Sequence, residues 1–442
     1  MERYGFLRKL IPDEFQARVD DDGCEPADLL PLRERFEREG ERMGDDELRA
    51  FYRELMSVEP RGPVRDEPSE LAAIQAARPP GPRELGFTGD TAELRERILG
   101  GLLGRAAGCI LGKPVESWSR HQIEVYLKEF GEEDVVDYFP YAAEGERELP
   151  AYILPARAGA CRGHIRFVLR DDDIDYTVMG LHVLSTYGFD FTTNDVAAAW
   201  LRQLPYGRIY TAEKAAYRNL LRGVTPPDTA VYYNPYRQWI GAQIRADAFG
   251  YTSPGRPERA AALAWRDAAL SHVKNGIYGE MWVAAALAAA FCLDDVRDVI
   301  AAATAEIPRE SRFAEMVADV LRWSEEHADW KSCWERIKEK YGRLNPTHTL
   351  NNAALVVLAL LYGEKDFSRT IGIAVQGGWD TDCNGATAGS ILGVMLGAAG
   401  VPARWTRPFN GTVRTLLPDY NPTTFDELAE LACSLATQAC AG

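Results

Sequence analysis

The chain is short of the residues that build soft-metal and disulfide frameworks. Its 442 residues include only six histidines and eight cysteines, and the cysteines (24, 109, 161, 292, 333, 383, 433 and 440) form no Cys-x-x-Cys pair. That scatter excludes a zinc ribbon or a disulfide scaffold and predicts buried thiols of a reduced, cytoplasmic protein. Positive charge is also in deficit: the formal net charge is −16, which argues against a nucleic-acid groove, since phosphate binding needs a basic patch. Long apolar runs are missing. The longest, 283–293, is rich in alanine and falls short of the ~20 residues a membrane span needs, so no membrane is expected. Met1-Glu2-Arg3-Tyr4 leads into charges and prolines rather than an apolar h-region, so no secretory leader is expected. Period-two alternation is scarce as well, which leaves little room for sheet.

What is present points to a helical globule. Hydrophobic residues make up 46% and charged residues 26%, the balance of a soluble protein with an ample core. Residues 1–89 hold 14 basic against 21 acidic side chains, a net −7 that leaves −9 for the much longer remainder. Within them, Leu29, Leu32 and Phe36 have helical spacing, and Pro79-Pro80-Gly81-Pro82 breaks the chain, because proline blocks helix continuation. Residues 1–85 therefore read as a helical extension that packs on the main body or supplies a rim, and 86–442 as that main body. Asp90-Thr91-Ala92-Glu93 opens a helix with a capping pattern. Helical periodicity then recurs over 174–186, 195–203, 212–221, 258–272, 281–293, 296–305, 311–327, 352–361, 367–376, 386–398 and 424–437. Residues 134–169 hold either short strands or an ordered loop. The fold class is all-α, a large orthogonal helical bundle with a helical N-terminal extension.

Two acidic segments carry the chemistry. The first is Gly377-Gly378-Trp379-Asp380-Thr381-Asp382-Cys383, followed by a small-residue helical pattern. Carboxylates two apart do not share a helix face, so Asp-Thr-Asp reads as a loop entering a helix with its oxygens aimed at one point, a donor set for a hard cation. The second is Arg170-Asp171-Asp172-Asp173-Ile174-Asp175, with Ile174, Val178 and Leu181 continuing behind it. It is either a solvated acidic cap, favoured by the helix dipole, or the other half of a cation site. Together the two segments could supply a two-cation centre, whose charge would relieve the repulsion among the carboxylates.

Three further segments are candidates. Glycines 101, 104, 108 and 112 fall on one helix face for close packing, after which Gly112-Lys113-Pro114 presents Glu116 from a rigid turn. Gly241, Arg245 and His272 lie on polar stretches, and His272 is either a core histidine or a pocket group. Asn351 lies in a polar loop before an apolar helix, where Thr349 or Asn351 could be the N-cap.

In their joint order these segments resemble the ADP-ribosylglycohydrolase family, whose pattern runs Gly-Asp-Ala-Leu-Gly-x-Pro-x-Glu, Thr-Asp-Asp-Thr, Gly-Asn-Gly-Ala-x-x-Arg with a later Thr-His, and Gly-Gly-Asp-Thr-Asp-Thr. The resemblance covers roughly 90–400. It implies an all-α fold, two Mg²⁺ or Mn²⁺ ions held by Asp172, Asp173, Asp175, Asp380 and Asp382, and catalysis by Glu116 and Asp173. It implies a pocket formed by Gly241, Arg245, His272, Asn351, Gly377 and Gly378, and as substrate an ADP-ribosylated protein or small molecule cleaved at the ribose anomeric carbon. This chain departs from the pattern in having Cys109 after Gly108, Ile174 after the acidic pair, Trp379 after the glycine pair, and Cys383 where the family has threonine. The competing readings are a ribosidase acting on a small nucleoside derivative and a catalytically silent family member that binds ADP-ribose.

Overall fold

The structure, a computed structural model, describes every residue except 1–3, 63–64, 143, 146–148, 150 and 442, with the side chains of 440 and 441 also left undescribed. The described residues form twenty α-helices joined by short 3-10 turns, and their only strand pair is two residues long, Thr412–Val413 against Thr423–Thr424. The fold is all-α. Residues 134–169 contribute a 3-10 turn, Pro155–Ala160, and a lone bridge from Val168 to Val413; positions 143, 146–148 and 150 of that stretch lie outside the described residues. Seven cysteines are free thiols, six of them buried, and Cys440 lies outside the described side chains.

The centre is built from helices that are apolar all round. Asn275–Ala290 is buried at every residue, and Thr349–Tyr362 and Thr381–Leu396 nearly so, as expected of helices without a polar face. Thr91–Val115 is long and apolar enough to cross a membrane by length and composition, but 83% of its apolar window is buried inside the fold.

That helix runs antiparallel to Thr381–Leu396 at backbone contact. Gly100, Gly104 and Gly108 face Gly393, Gly389 and Gly385, and Gly112 faces Thr381 and Asp382. The contact row has a spacing of four, whereas Gly101 turns instead toward Tyr251 and Val394. A Cβ on Gly385 would stand 2.5 Å from Gly108 O, so only glycine permits this approach. The consequence is positional. Thr381 Oγ1 donates to Gly112 O (2.8 Å), which lays the end of one helix against the start of the other.

The extension has its own small core. Leu7, Leu10, Ile11 and Phe15 of the first helix (Leu7–Asp20) meet Leu48, Phe51 and Leu55 of the third (Asp45–Met56), with Tyr233 of the main body joining them. Buried polar pairs fasten it down. Arg237 donates to Glu14 (2.8 Å) and Asp22 (2.8 Å), and His348 Nε2 lies 3.0 Å from Asp21 Oδ1. Further on, Ile74 enters the main core and Arg78 pairs with buried Glu306.

Candidate active site

Three chain segments end at one mouth. The first is the 3-10 turn Lys113–Val115, which carries Glu116 at its exit. The second is the N-terminus of helix Asp172–Tyr187, where Asp171 is the cap and its carboxylate accepts from Asp173 N–H (3.1 Å). The third is the N-terminus of helix Thr381–Leu396, where Asp380 is the cap residue. Asp380 has non-helical backbone (ψ 79°) while Asp382 already lies in the first turn, which is how two carboxylates two residues apart reach the same place. This helix starts five residues earlier than its apolar pattern predicts.

Asp171, Asp173 and Asp382 are buried, while Glu116, Asp172 and Asp380 are partly exposed above them. Two groups of donor atoms lie within 4.8 Å of one another: Cys109, Asp171 and Asp173, and Asp173, Asp382 and Cys383. Cys383 Sγ approaches Asp173 Oδ2 at 3.2 Å.

Cations already answer part of this charge. Lys113 pairs with Asp171 and, against the cost of burial, holds its carboxyl below the ordinary range. Buried Arg105 donates from Nη2 to Asp173 Oδ1 (3.0 Å) and from Nε to Asp173 O (2.8 Å), and its Nη1 pairs with Asp247 (2.9 Å). Arg157 donates to Glu116 Oε2 (2.5 Å). At the other carboxyls burial and like charge outweigh the cations nearby. Burial, with Asp171 and Asp173 beside it, pushes Asp172 well up; burial, with Glu116, Asp171 and Asp380, does the same to Asp382. Burial and the neighbouring Asp380 raise Glu116. Asp382 is 4% exposed and forms no salt bridge among the described residues; its carboxylate accepts the N–H of Cys383 (3.2 Å), it shares a hydrogen bond with the Asp380 carboxyl, and the Lys113 charge acts on it from a distance. A buried carboxylate without a counter-charge is costly. Oxygen and sulfur donors converging around such a group fit a divalent cation.

The other expected site residues are placed as follows. Asp173, anticipated as catalytic and ligating, has Oδ1 taken by Arg105 and Oδ2 facing the Cys383 thiol. Asp175 sits outside the cluster, held by Arg170 (2.6 Å) and by the N–H of Leu416 (2.7 Å). Gly241, Arg245 and His272 belong to a second buried network. There Arg245 binds Glu213 (2.6 Å) and Asp267 (2.8 Å) and lies 3.5 Å from Glu280. Gly241 is pressed against Glu213, and His272 Nδ1 meets Ser271 Oγ (2.8 Å). Burial and the Arg245 charge hold His272 well below its usual pKa. This network abuts the mouth through Arg105, which also donates to Ile244 O (2.5 Å).

Asn351 is not the N-cap: His348 caps the helix Thr349–Tyr362, and Asn351 lies in its first turn, where its Nδ2 donates to Asn345 O (3.0 Å). Its neighbour Asn352 reaches the site: Oδ1 accepts from Asp380 N–H (3.2 Å) and from Asn384 (2.8 Å). Gly377 packs on Leu355 and accepts from Trp334 Nε1 (3.0 Å). Gly378, at φ +83°, lies against the backbone of 118–120, and Trp379 N–H donates to Trp118 O (3.1 Å). The glycine pair thus clamps the Glu116 loop to the Asp380 loop, and Trp379 stacks on Trp334 (6.0 Å, 27°).

Sequence reasoning missed Arg105, Lys113, Arg157 and Asn352. Arg105 did leave a signal, as the lone charge in an otherwise apolar stretch, 98–112. Replacing it tests its role. Arg105→Met is expected to lower unfolding free energy by about 3–5 kcal/mol, because it strands two buried carboxylates; urea denaturation measures this, and a loss below 1 kcal/mol would refute the pairing.

A family model for ADP-ribosylglycohydrolase matches residues 90–440, a span that includes every residue of the mouth. A solved structure described as an "ADP-ribosylglycohydrolase-related protein complex" aligns with 79% of this chain and 99% of its own, at 20% identity and a TM-score of 0.47. No protein of curated function matches the chain.

Proposed function

The chain belongs to the ADP-ribosylglycohydrolase family, and on that footing we propose that it is a divalent-metal-dependent hydrolase of the glycosidic bond at the ribose anomeric carbon of an ADP-ribosylated substrate. One observation carries this reading: a buried Asp382 with no salt bridge among the described residues interacts with a partly exposed glutamate whose proton affinity is raised. Asp173 and Asp382, with Cys383 beside them and Asp380 and Asp172 above, would hold the cation. Bound there, it would supply positive charge to orient sugar hydroxyls and Lewis acidity.

The chain's own groups do the rest. Glu116 sits at the rim with one oxygen on Arg157, and burial and the Asp380 charge raise its proton affinity, which suits it to hold and hand over a proton. The surrounding carboxylates set up a negative field for the oxocarbenium-like charge that develops at the anomeric carbon. Asn352 fixes the Asp380 backbone, and the Gly378–Trp118 clamp keeps Glu116 opposite it. Arg105 holds Asp173 in one orientation.

Glu116→Gln removes the proton carrier and keeps the shape. Turnover is expected to fall by roughly 10²–10⁴-fold, with calorimetric metal affinity changed only a few-fold; undiminished turnover would exclude Glu116 from proton transfer. The reading as a whole is tested by incubating the protein and divalent ions with arginine- and serine-linked ADP-ribosyl peptides and with small nucleoside glycosides, reading products by mass. Release of ADP-ribose supports it. Cleavage of the small glycosides alone would transfer the activity to a ribosidase, and no cleavage of any substrate would end it.

A further inference from the structure

We propose that Cys383 is a metal ligand, and that Asp173, Asp382 and Cys383 form a centre that selects a borderline divalent ion such as Zn²⁺ or Co²⁺ over Mg²⁺. The inference rests on the metal-dependent part of the proposed function and concerns which ion this chain's own donors favour.

The two donor groups in the mouth differ in what they still need. In the group of Cys109, Asp171 and Asp173, positive charge is already supplied. Lys113 pairs with Asp171, whose other oxygen takes the Asp173 N–H, and Arg105 holds Asp173 Oδ1. In the group of Asp173, Asp382 and Cys383, the oxygen left over from Arg105 is Asp173 Oδ2, and it faces the Cys383 sulfur at 3.2 Å. Asp382, 4% exposed, forms no salt bridge among the described residues. The three donor atoms lie within 4.8 Å of one another, so one ion can reach all three. Of the two donor groups, only the one that contains Cys383 has a carboxylate without a salt bridge among the described residues, so it is the group placed to take a cation.

The donor chemistry then selects the ion. Mg²⁺ demands oxygen ligands in octahedral geometry and keeps its waters. A thiolate beside two carboxylates suits Zn²⁺, Co²⁺ or Fe²⁺. Binding exchanges a proton for the metal: M²⁺ and the Cys383 thiol give the metal–sulfur bond and one H⁺ released to solvent. Cys383 is held in the first turn of the helix by the glycine contact row, so its sulfur is delivered with the same rigidity as Asp382.

Cobalt reports the bond directly. Titrating Co²⁺ into the reduced, full-length protein is expected to produce a near-ultraviolet sulfur-to-cobalt charge-transfer band that saturates at one ion per chain. The band should persist in Cys109→Ser and vanish in Cys383→Ser and in Cys383→Thr, a pair that guards against misfolding of either one. Circular dichroism checks the helical fold of each. Zn²⁺ should displace the cobalt stoichiometrically and a large excess of Mg²⁺ should not, while zinc affinity in Cys383→Ser should drop about tenfold or more. Cobalt bound without the band, a band that survives in both Cys383 variants, or ready displacement by Mg²⁺ overturns the proposal. Absence of any bound ion overturns it together with the metal-dependent part of the hydrolase reading. A cysteine-dependent band in a protein that cleaves no ADP-ribosyl substrate sustains the proposal and removes the hydrolase.

Discussion

Gly108→Ala is expected to destabilise the protein by about 3 kcal/mol or more, toward the upper end of overpacking costs, and to weaken the site with it. In an ordinary helix interior the same change stabilises by roughly 0.5–1 kcal/mol, because alanine has less backbone entropy to lose. The sign reverses here because the added methyl meets Gly385 O and its carbonyl carbon inside van der Waals contact. Backbone cannot rotate away as a side chain does, so the two central helices must separate. Separation is transmitted along the row to Gly112 and Thr381, whose 2.8 Å hydrogen bond registers Lys113 and Glu116 against Asp171 and Asp380. Chemical denaturation reads the first effect and calorimetric ion binding the second. An alanine variant as stable as the wild type would mean that the helices are further apart than this packing requires.

How far the sequence foretold this arrangement depends on which residues it had to speak for. Amphipathic and capped helices declared themselves: the periodic stretch 367–376 coincides with Phe367–Gln376, and Asp90 caps its helix through Glu93 N–H (2.9 Å). Buried helices were read short, because all-round apolarity has no face to mark an end. Asn275–Ala290 begins six residues before its predicted start, through Gly276 and Gly279. Trp330–Tyr341 was missed altogether, since alternating charges mask its apolar stripe of Cys333, Trp334 and Ile337. At the site, the acidic clusters stood out because carboxylates at helix starts are rare in a packed core, and Glu116 because it leaves a rigid turn. Their partners were not. Lys113, Arg157 and Asn352 act through contacts between segments 28 to 58 positions apart in sequence, and spacing within one segment carries no trace of them. Asn351 and Asn352 look alike in sequence; only the pitch of the helix decides which of them faces Asp380.

Asp382→Asn separates the cost of the site from its use. Loss of this ligand is expected to weaken ion binding by at least about 100-fold, the upper range for changes around a metal site, and turnover of the proposed reaction should fall to background. Stability should move the other way. In the metal-free wild type, burial and the nearby carboxylates raise the Asp382 pKa above its ordinary value, so the folded state binds a proton more tightly than the unfolded chain does. Stability is then full at pH values below the unfolded aspartate range and declines as pH climbs from there toward the raised folded value. Asparagine has no proton to lose, so that decline should flatten. At neutral pH the metal-free variant should melt at or above the wild type, whereas Arg105→Met, which strands carboxylates instead of removing one, should melt well below it. Adding the ion should raise the wild-type melting temperature by mass action and leave Asp382→Asn unmoved. Thermal melts across pH, with and without ion, read all of this in one series. A metal-free Asp382→Asn protein that melts far below the wild type would show that Asp382 serves the fold, and the cation site would have to be built from other groups.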